Sequence, residues 1–147
     1  MNNWKKKLLD KSSEWPRKVL IKKVKSFNDV RGYIQPLVDL PMKTACLIYS
    51  KKGTVRANHY HKTDWHFCYL LNGKMRYFHK GMGSNDKVKS IIIKENKLFF
   101  TPPLVIHAMH FLENTDFLVL SRNVRDQKSY EKDLIRTSLI DENGNIL

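Results

Sequence analysis

The sequence predicts an all-β sandwich or barrel, and three observations carry that expectation. Ten short segments rich in β-branched and aromatic residues recur along the 147 residues. Turn-forming residues separate them at short intervals. No internal repeat and no shift of composition marks a second domain, so the whole chain, 1–147, reads as one unit with a core over about 20–122.

In chain order the candidate strands are VLIKKV, GYIQPL, TACLIYS, TVRANHY, WHFCYLL, KMRYFH, KSIIIK, LFFT, VIHAMHF and DFLVLS. Turns fall at Asn28-Asp29 with Arg31-Gly32, at Lys51 to Gly53, at Gly81 to Asp86 and at Glu113 to Asp116. Asn72-Gly73 is the strongest hairpin signal, because both residues tolerate the positive φ that a tight β-turn requires. The ends differ from the middle. Residues 2–12 read as a short amphipathic helix or an arm. Residues 126–136 (DQKSYEKDLIR) read as a short C-terminal helix with Asp126 as N-cap and with Glu131 and Asp133 on its surface. The tail IDENGNIL is polar and turn-like, with no functional content expected.

Composition narrows the class. The two cysteines, Cys46 and Cys68, sit inside apolar strand-like runs, which points to core thiols in a reducing compartment. The first residues are basic but lack the apolar stretch of a signal peptide, and no run approaches the ~20 apolar residues of a membrane span, so a cytoplasmic protein is expected with no membrane partner. Formal charge is +13, and residues 1–26 carry nine Lys and Arg against Asp10 and Glu14. The bases are spread over strand ends and outer faces, where lysine protects sheet edges, and no nucleic-acid motif accompanies them. No nucleic-acid partner is therefore expected; an anionic small molecule suits the charge better.

The chemistry lies in histidines. Counting from Gly53, five residues lead to His59, one separates it from His61, four more lead to His66, and six more reach Gly73. Residues two apart in a strand share a face, so His59 and His61 point one way, and His66, Cys68 and Leu70 share a face on the next strand. A hairpin would bring those faces together. His107, Met109 and Phe111 form a third inward set, with His110 opposite. His79 and His110 read as ordinary core histidines, and Trp65, Phe67, Tyr69 and Tyr77 as core or subunit interface. Four imidazoles gathered in an apolar interior repel one another when protonated and need partners for their ring nitrogens. A divalent ion of Fe, Ni, Cu or Zn on His59, His61, His66 and His107 resolves this, and so does a network of proton-transferring histidines. No organic cofactor is expected.

The spacing of Gly53, His59, His61, His66 and Gly73 resembles the first motif of the cupins, with histidine where that motif usually has glutamate. Asn96, Pro102, Leu104 and His107 match the spacing of the second motif with both its glycines replaced. The resemblance implies a cupin double-stranded β-helix, or jelly-roll, barrel. With Asp29 to Gly32, VRANHYH, PPLVIHAMHF and LVLSRNVRDQKSYEKDLIR, the chain looks like the RmlC-like branch that includes WxcM-like proteins and dTDP-4-keto-6-deoxyglucose ketoisomerases. RANHYHKT is also similar to the cupin domain of capsular-polysaccharide-synthesising bifunctional enzymes and, more distantly, to dTDP-4-dehydrorhamnose 3,5-epimerases.

What the resemblance implies is an isomerase or epimerase of surface-polysaccharide synthesis, moving a proton beside the ketone of a 4-keto-6-deoxyhexose nucleotide. His59 and His61 would be base and acid or substrate anchor, and Arg31 and Arg56 would hold the diphosphate or the carbonyl oxygen. The ketoisomerases usually have Gly-Phe-His-Ala-His where this chain has Ala57-Asn58-His59-Tyr60-His61, and they lack a counterpart of His66, which strengthens a metal. The alternatives are a metal-dependent cupin, such as an oxygenase, and a non-catalytic binding domain. A homodimer joined through edge strands is expected from the architecture.

Overall fold

The computed structural model describes residues 15–147; the arm expected at 2–12 lies outside them. Twelve strands and one helix follow in order: β1 (Leu20–Ile21), β2 (Phe27–Asp29), β3 (Gly32–Ile34), β4 (Thr44–Ser50), β5 (Val55–His61), β6 (His66–Asn72), β7 (Lys74–Lys80), β8 (Lys89–Lys94), β9 (Leu98–Thr101), β10 (Ile106–Phe111), β11 (Thr115–Ser121), α1 (Gln127–Asp133) and β12 (Leu134–Arg136). Two five-stranded antiparallel sheets face each other, in the orders β1-β9-β6-β11-β4 and β12-β5-β10-β7-β8, while β2 and β3 form a separate two-stranded ribbon. From β4 to β7, and again from β8 to β12, successive strands alternate between the sheets, so the chain winds as a flattened helix of strands. No helix among the described residues is long and apolar enough to cross a membrane.

This winding corrects two expectations. Asn72-Gly73 makes no hairpin: β6 and β7 lie in opposite sheets, and Gly73 is the corner between them, at φ +94°. A Cβ there would overlap the Thr115 hydroxyl and the Asn114 carbonyl, so glycine is required by close approach as well as by φ. Likewise His59/His61 and His66/Cys68 meet across the barrel and not through a hairpin, because residues 62–65 carry the chain from one sheet to the other.

Alternation along the strands builds the interior. On β11, Thr115, Phe117, Val119 and Ser121 are buried and the residues between them are half-exposed. Leu70, Met75, Tyr77, Ile93, Phe99, Phe111 and Phe117 pack with Cys68 in the main core, each large side chain contributing about 1.5–3 kcal/mol. Cys46 is half-buried and packs against this cluster. Tyr69 is the exception among the aromatic residues assigned to the core or an interface: it is half-exposed and donates to Asn96 at 3.1 Å.

The C-terminal segment departs from the expected helix at 126–136. Asp126 caps it as predicted, accepting from the Ser129 amide, but the helix stops at Asp133. Leu134 turns extended and the chain pairs with the edge of β5, Leu134 opposite His61 and Arg136 opposite His59. Burying Leu134 and filling the open ladder of β5 outweighs one more exposed helical turn. The tail has structural content: Leu139 and Ile140 are buried, and the Asn58 side chain bonds the Leu139 amide and the Ile140 carbonyl.

Four non-glycine residues hold positive φ: Ala57, Asn58, Asn96 and Leu104. Asn96 and Leu104 stand where the second motif has its glycines, so the backbone keeps the conformation after the residue has changed. A left-handed leucine costs ~1–2 kcal/mol, against ~0.5–1 kcal/mol of extra unfolded-state freedom for glycine. Leu104 is 51% exposed and has little packing to lose. Leu104→Gly is expected to raise stability by about 0.5 kcal/mol, read as a higher urea midpoint at unchanged slope; a lower midpoint would mean that the side chain packs more than its exposure indicates.

Candidate active site

Three strands bring the histidines together. The register of β5 on β10 slips by one residue between His107 opposite His59 and Ala108 opposite Ala57, so Asn58 is the extra residue of a bulge. Ala57 and Asn58, at φ 70° and 55°, make this kink, and after it His59 and His61 face inward. His107 enters from β10, and His66 enters from β6 in the opposite sheet. Ring centroids lie 4.8 Å apart for His59 and His61, 4.9 Å for His59 and His107, and 5.8 Å for His61 and His107.

Nitrogens of His59, His61 and His107 all lie within 4.8 Å of one another. The His66 ring is as near, 5.5 Å from His61 and 5.9 Å from His107 between centroids, but its nitrogens do not join that mutually close set. Of the four histidines expected to share one ion, three converge. His79 and His110 are half-buried and outside the trio: His79 stands opposite His107 in the β7–β10 ladder with its ring 5.9 Å from that of Tyr77, and His110 lies three residues beyond His107 on β10.

Hydrogen bonds set the tautomers. His107 Nδ1 donates to the Val105 carbonyl at 3.0 Å, and His61 Nδ1 donates to Asp133 Oδ2 at 3.2 Å, so both rings keep the lone pair on Nε2. His61 Nε2 is buried without a partner, as is His66 Nδ1. Asp133 is itself anchored: Oδ1 accepts from the Thr63 amide at 2.9 Å and hydroxyl at 2.6 Å, and Oδ2 accepts from the Asp64 amide at 3.1 Å. Burial pushes the Asp133 carboxyl up, but these bonds outweigh it and hold it below the usual carboxylate range.

The cluster is neutral. Burial, then the neighbouring His107 and His61, drive His59 down to about 2. Burial takes His107 down to about 3 against the Val105 bond, and takes His66 well below its ordinary value. His61 is lowered by burial too, but Asp133 opposes the shift. Asp64, buried beneath the site and accepting from the Asn123 amide at 2.9 Å, is raised by burial to about 6.

These rings border a cavity of about 140 Å³ whose apolar wall includes Ile48, Met109, Phe117 and Val119. Whole-ligand pockets are usually ~300–1,000 Å³, so this one admits part of a larger molecule. Arg56 lies on its rim, held by Nε donating to Ser50 Oγ at 2.6 Å and by a bond to the Tyr49 carbonyl at 3.1 Å. Arg31 does not reach it. It sits in the turn of the β2–β3 ribbon, 85% exposed, and forks onto Asp29, which satisfies the guanidinium two residues away.

Sequence reasoning missed Asp133, Tyr130 and Arg125. Asp133 was assigned to a helix surface; only the pairing of Leu134 with His61 reveals that the preceding side chain falls beside that ring. Tyr130 and Arg125 line the cavity from the segment leading to β12, with the Tyr130 ring 5.8 Å from His61 and 6.3 Å from His59. No spacing rule connects them to the histidine motif.

The two alternately wound sheets, with a His-x-His pair and a third histidine between them, have the RmlC-like cupin fold. No family model matches this sequence, and no curated protein matches it. Among solved structures it is similar to QdtA, a sugar 3,4-ketoisomerase from Thermoanaerobacterium thermosaccharolyticum in complex with TDP, at 24% identity over 78% of this chain and 85% of that one, with a TM-score of 0.64. A mutant of QdtA, at TM-score 0.63 and the same identity, over 78% of this chain and 84% of that one, is bound to TDP-4-keto-6-deoxyglucose. The dTDP-4-dehydrorhamnose 3,5-epimerase from Sulfolobus tokodaii is similar at 18% identity over 76% of this chain and 72% of that one, TM-score 0.61.

Proposed function

We propose that this chain is a sugar-nucleotide isomerase or epimerase of surface-polysaccharide synthesis, transferring a proton beside the ketone of a 4-keto-6-deoxyhexose nucleotide. The observation that carries the reading is the His61–Asp133 pair: a neutral imidazole, oriented by a carboxylate, turns an unpartnered nitrogen into a small cavity. The likeness to a ketoisomerase whose mutant binds TDP-4-keto-6-deoxyglucose, and to an epimerase, supports the choice of substrate.

In this reading His61 Nε2 takes the proton from the carbon beside the ketone. The C–H electron pair becomes the new C=C bond, and the carbonyl pair moves onto oxygen. Returning the proton to the adjacent carbon moves the ketone; delivering one to the opposite face of the first carbon inverts it. His59, neutral and next to His61, carries the oxygen-bound proton between the two oxygens when the ketone moves. Electrons are only rearranged, so no redox partner is required. Arg56 on the rim binds the diphosphate, and the +13 charge draws an anionic substrate inward.

The test is incubation with TDP-4-keto-6-deoxyglucose in D2O, followed by proton NMR. Wild type is expected to exchange the proton beside the ketone and form an isomer or epimer, and His61→Asn to do neither. Intact substrate with no exchange in wild type would remove the reading.

The trio His59, His61 and His107 also favours a second occupant. Its orphaned and tautomer-fixed nitrogens fit a divalent ion of Zn, Fe, Ni or Cu, which supplies Lewis acidity when bound. Such an ion takes the His61 lone pair that proton transfer needs. Under the isomerase reading Zn2+ therefore inhibits the exchange and a chelator restores it; metal-dependent turnover is the opposite result and belongs to a metal-dependent cupin.

We place the protein in the cytoplasm, where Cys46 and Cys68 remain thiols, and propose a homodimer. Leu47 and Tyr49 lie exposed on edge strand β4, and Phe27, Tyr33 and Ile34 are exposed on the β2–β3 ribbon. Sedimentation is expected to return the mass of two chains; the mass of one would remove the dimer.

A further inference from the structure

The cavity holds a cation that the scheme above leaves unused. Arg125 lies between β11 and α1, half-buried, with its guanidinium 4.7 Å from the centre of the Tyr130 ring. That ring in turn stands against His61 and His59. A guanidinium stacked flat on an aromatic face keeps its N–H edges free for an acceptor in its own plane.

Among the described residues no carboxylate pairs with Arg125. Asp126 caps α1, Glu131 is forked by Arg136, Asp133 is filled by Thr63, Asp64 and His61, and Asp64 accepts from the Asn123 amide. A guanidinium without an ion-pair partner beside four buried imidazoles is unfavourable for the free protein: its charge lowers all four rings in part, and the nearby Asp64 carboxyl, which it also lowers, offsets it without bonding to it. The same field favours any negative charge that develops between them.

We propose, on the proton-transfer reading above, that Arg125 is a catalytic residue whose guanidinium donates to the sugar oxygen that becomes anionic as His61 removes the neighbouring proton. The C–H bond breaks, its proton goes to His61 Nε2, a C=C bond forms, and the electron pair displaced onto oxygen is met by the Arg125 N–H fork. The oxygen is assigned to the sugar and not to the diphosphate because Arg125 and Tyr130 stand at the end of β5 that carries His59 and His61. Arg56, near the other end of that strand and exposed, is left for the diphosphate.

The experiment compares wild type with Arg125→Met and Arg125→Lys. It measures kcat and KM with TDP-4-keto-6-deoxyglucose, deuterium exchange into that sugar, and the Kd for TDP. Removing one donor to a developing oxyanion lowers kcat about 10²–10³-fold. Arg125→Met is expected to show that loss in both kcat and exchange with the Kd for TDP within about twofold of wild type, and Arg125→Lys to recover part of it through charge alone. A raised Kd for TDP with kcat retained at saturation would assign Arg125 to the diphosphate and overturn the proposal. Unchanged constants would overturn it too. Absence of exchange in wild type is a different failure: it removes the proton-transfer reading itself, whereas exchange in wild type that Arg125→Met leaves undiminished removes only the role of Arg125.

Discussion

Asp133→Asn is expected to lower turnover by about 10³–10⁴-fold while the protein stays folded, the scale seen when a carboxylate that fixes a catalytic histidine's tautomer becomes an amide. The amide oxygen takes the place of Oδ1, where the Thr63 amide and hydroxyl both donate. The NH2 group then falls where Oδ2 met His61 Nδ1 and the Asp64 amide. It donates to His61 Nδ1, which sends the ring proton to Nε2 and removes the lone pair from the cavity. It also faces the Asp64 N–H donor to donor, at a stability cost of about 1–3 kcal/mol. Nitrogen-15 shifts of the His61 ring report the tautomer directly, and kcat in the NMR assay reports its consequence. An unchanged tautomer, or turnover within tenfold of wild type, would remove Asp133 from its orienting role.

The second large effect is acid unfolding. His59, His66 and His107 are held neutral when folded but titrate near 6.5 when unfolded. Below pH 6.5 the unfolded chain therefore binds protons that the folded chain refuses. The stability these rings contribute is complete above that pH and is lost as pH falls. Asp64 works the other way: raised to about 6 from 3.8, it holds a proton in the folded state through that window, so its contribution grows on acidification and offsets one histidine. A net difference of about two protons gives a slope near 3 kcal/mol per pH unit. Set against a typical stability of about 5–15 kcal/mol, most of it is gone by about pH 4. Urea midpoints between pH 7.5 and 4.5 check this, and a flat profile would mean that the imidazoles are not buried neutral. The His61 pKa also lies below its ordinary value, because burial outweighs the Asp133 carboxylate that opposes the shift.

Much of the barrel was legible because strand alternation and turn chemistry are local. Inward His59, His61, His66 and His107 followed from a period of two and a fixed order of motifs. Connectivity between sheets did not follow, since Asn72-Gly73 serves a hairpin and a corner equally well by φ; what decides is the contact of Gly73 with Asn114 and Thr115, some forty residues later. Arg31 was assigned to the site by resemblance, yet within this chain its charge is met by Asp29, two residues before it. Asp133 was invisible for a different reason. Helix periodicity put it on a surface, and only the antiparallel docking of Leu134–Arg136 on β5 turns it toward His61.

The docking of β12 sets when the site comes into being. His61 and Asp133 are 72 residues apart in sequence, and the Asn58 side-chain bonds to Leu139 and Ile140 span 81 and 82. A chain emerging from the ribosome can lay down β4 to β11 with His61 still unoriented, because the carboxylate that meets it follows all of those strands in the sequence. Bond formation over such separations is slow and cooperative. A collapsed or partly assembled form therefore carries every histidine and none of the chemistry, and turnover becomes a report on closure of the whole molecule.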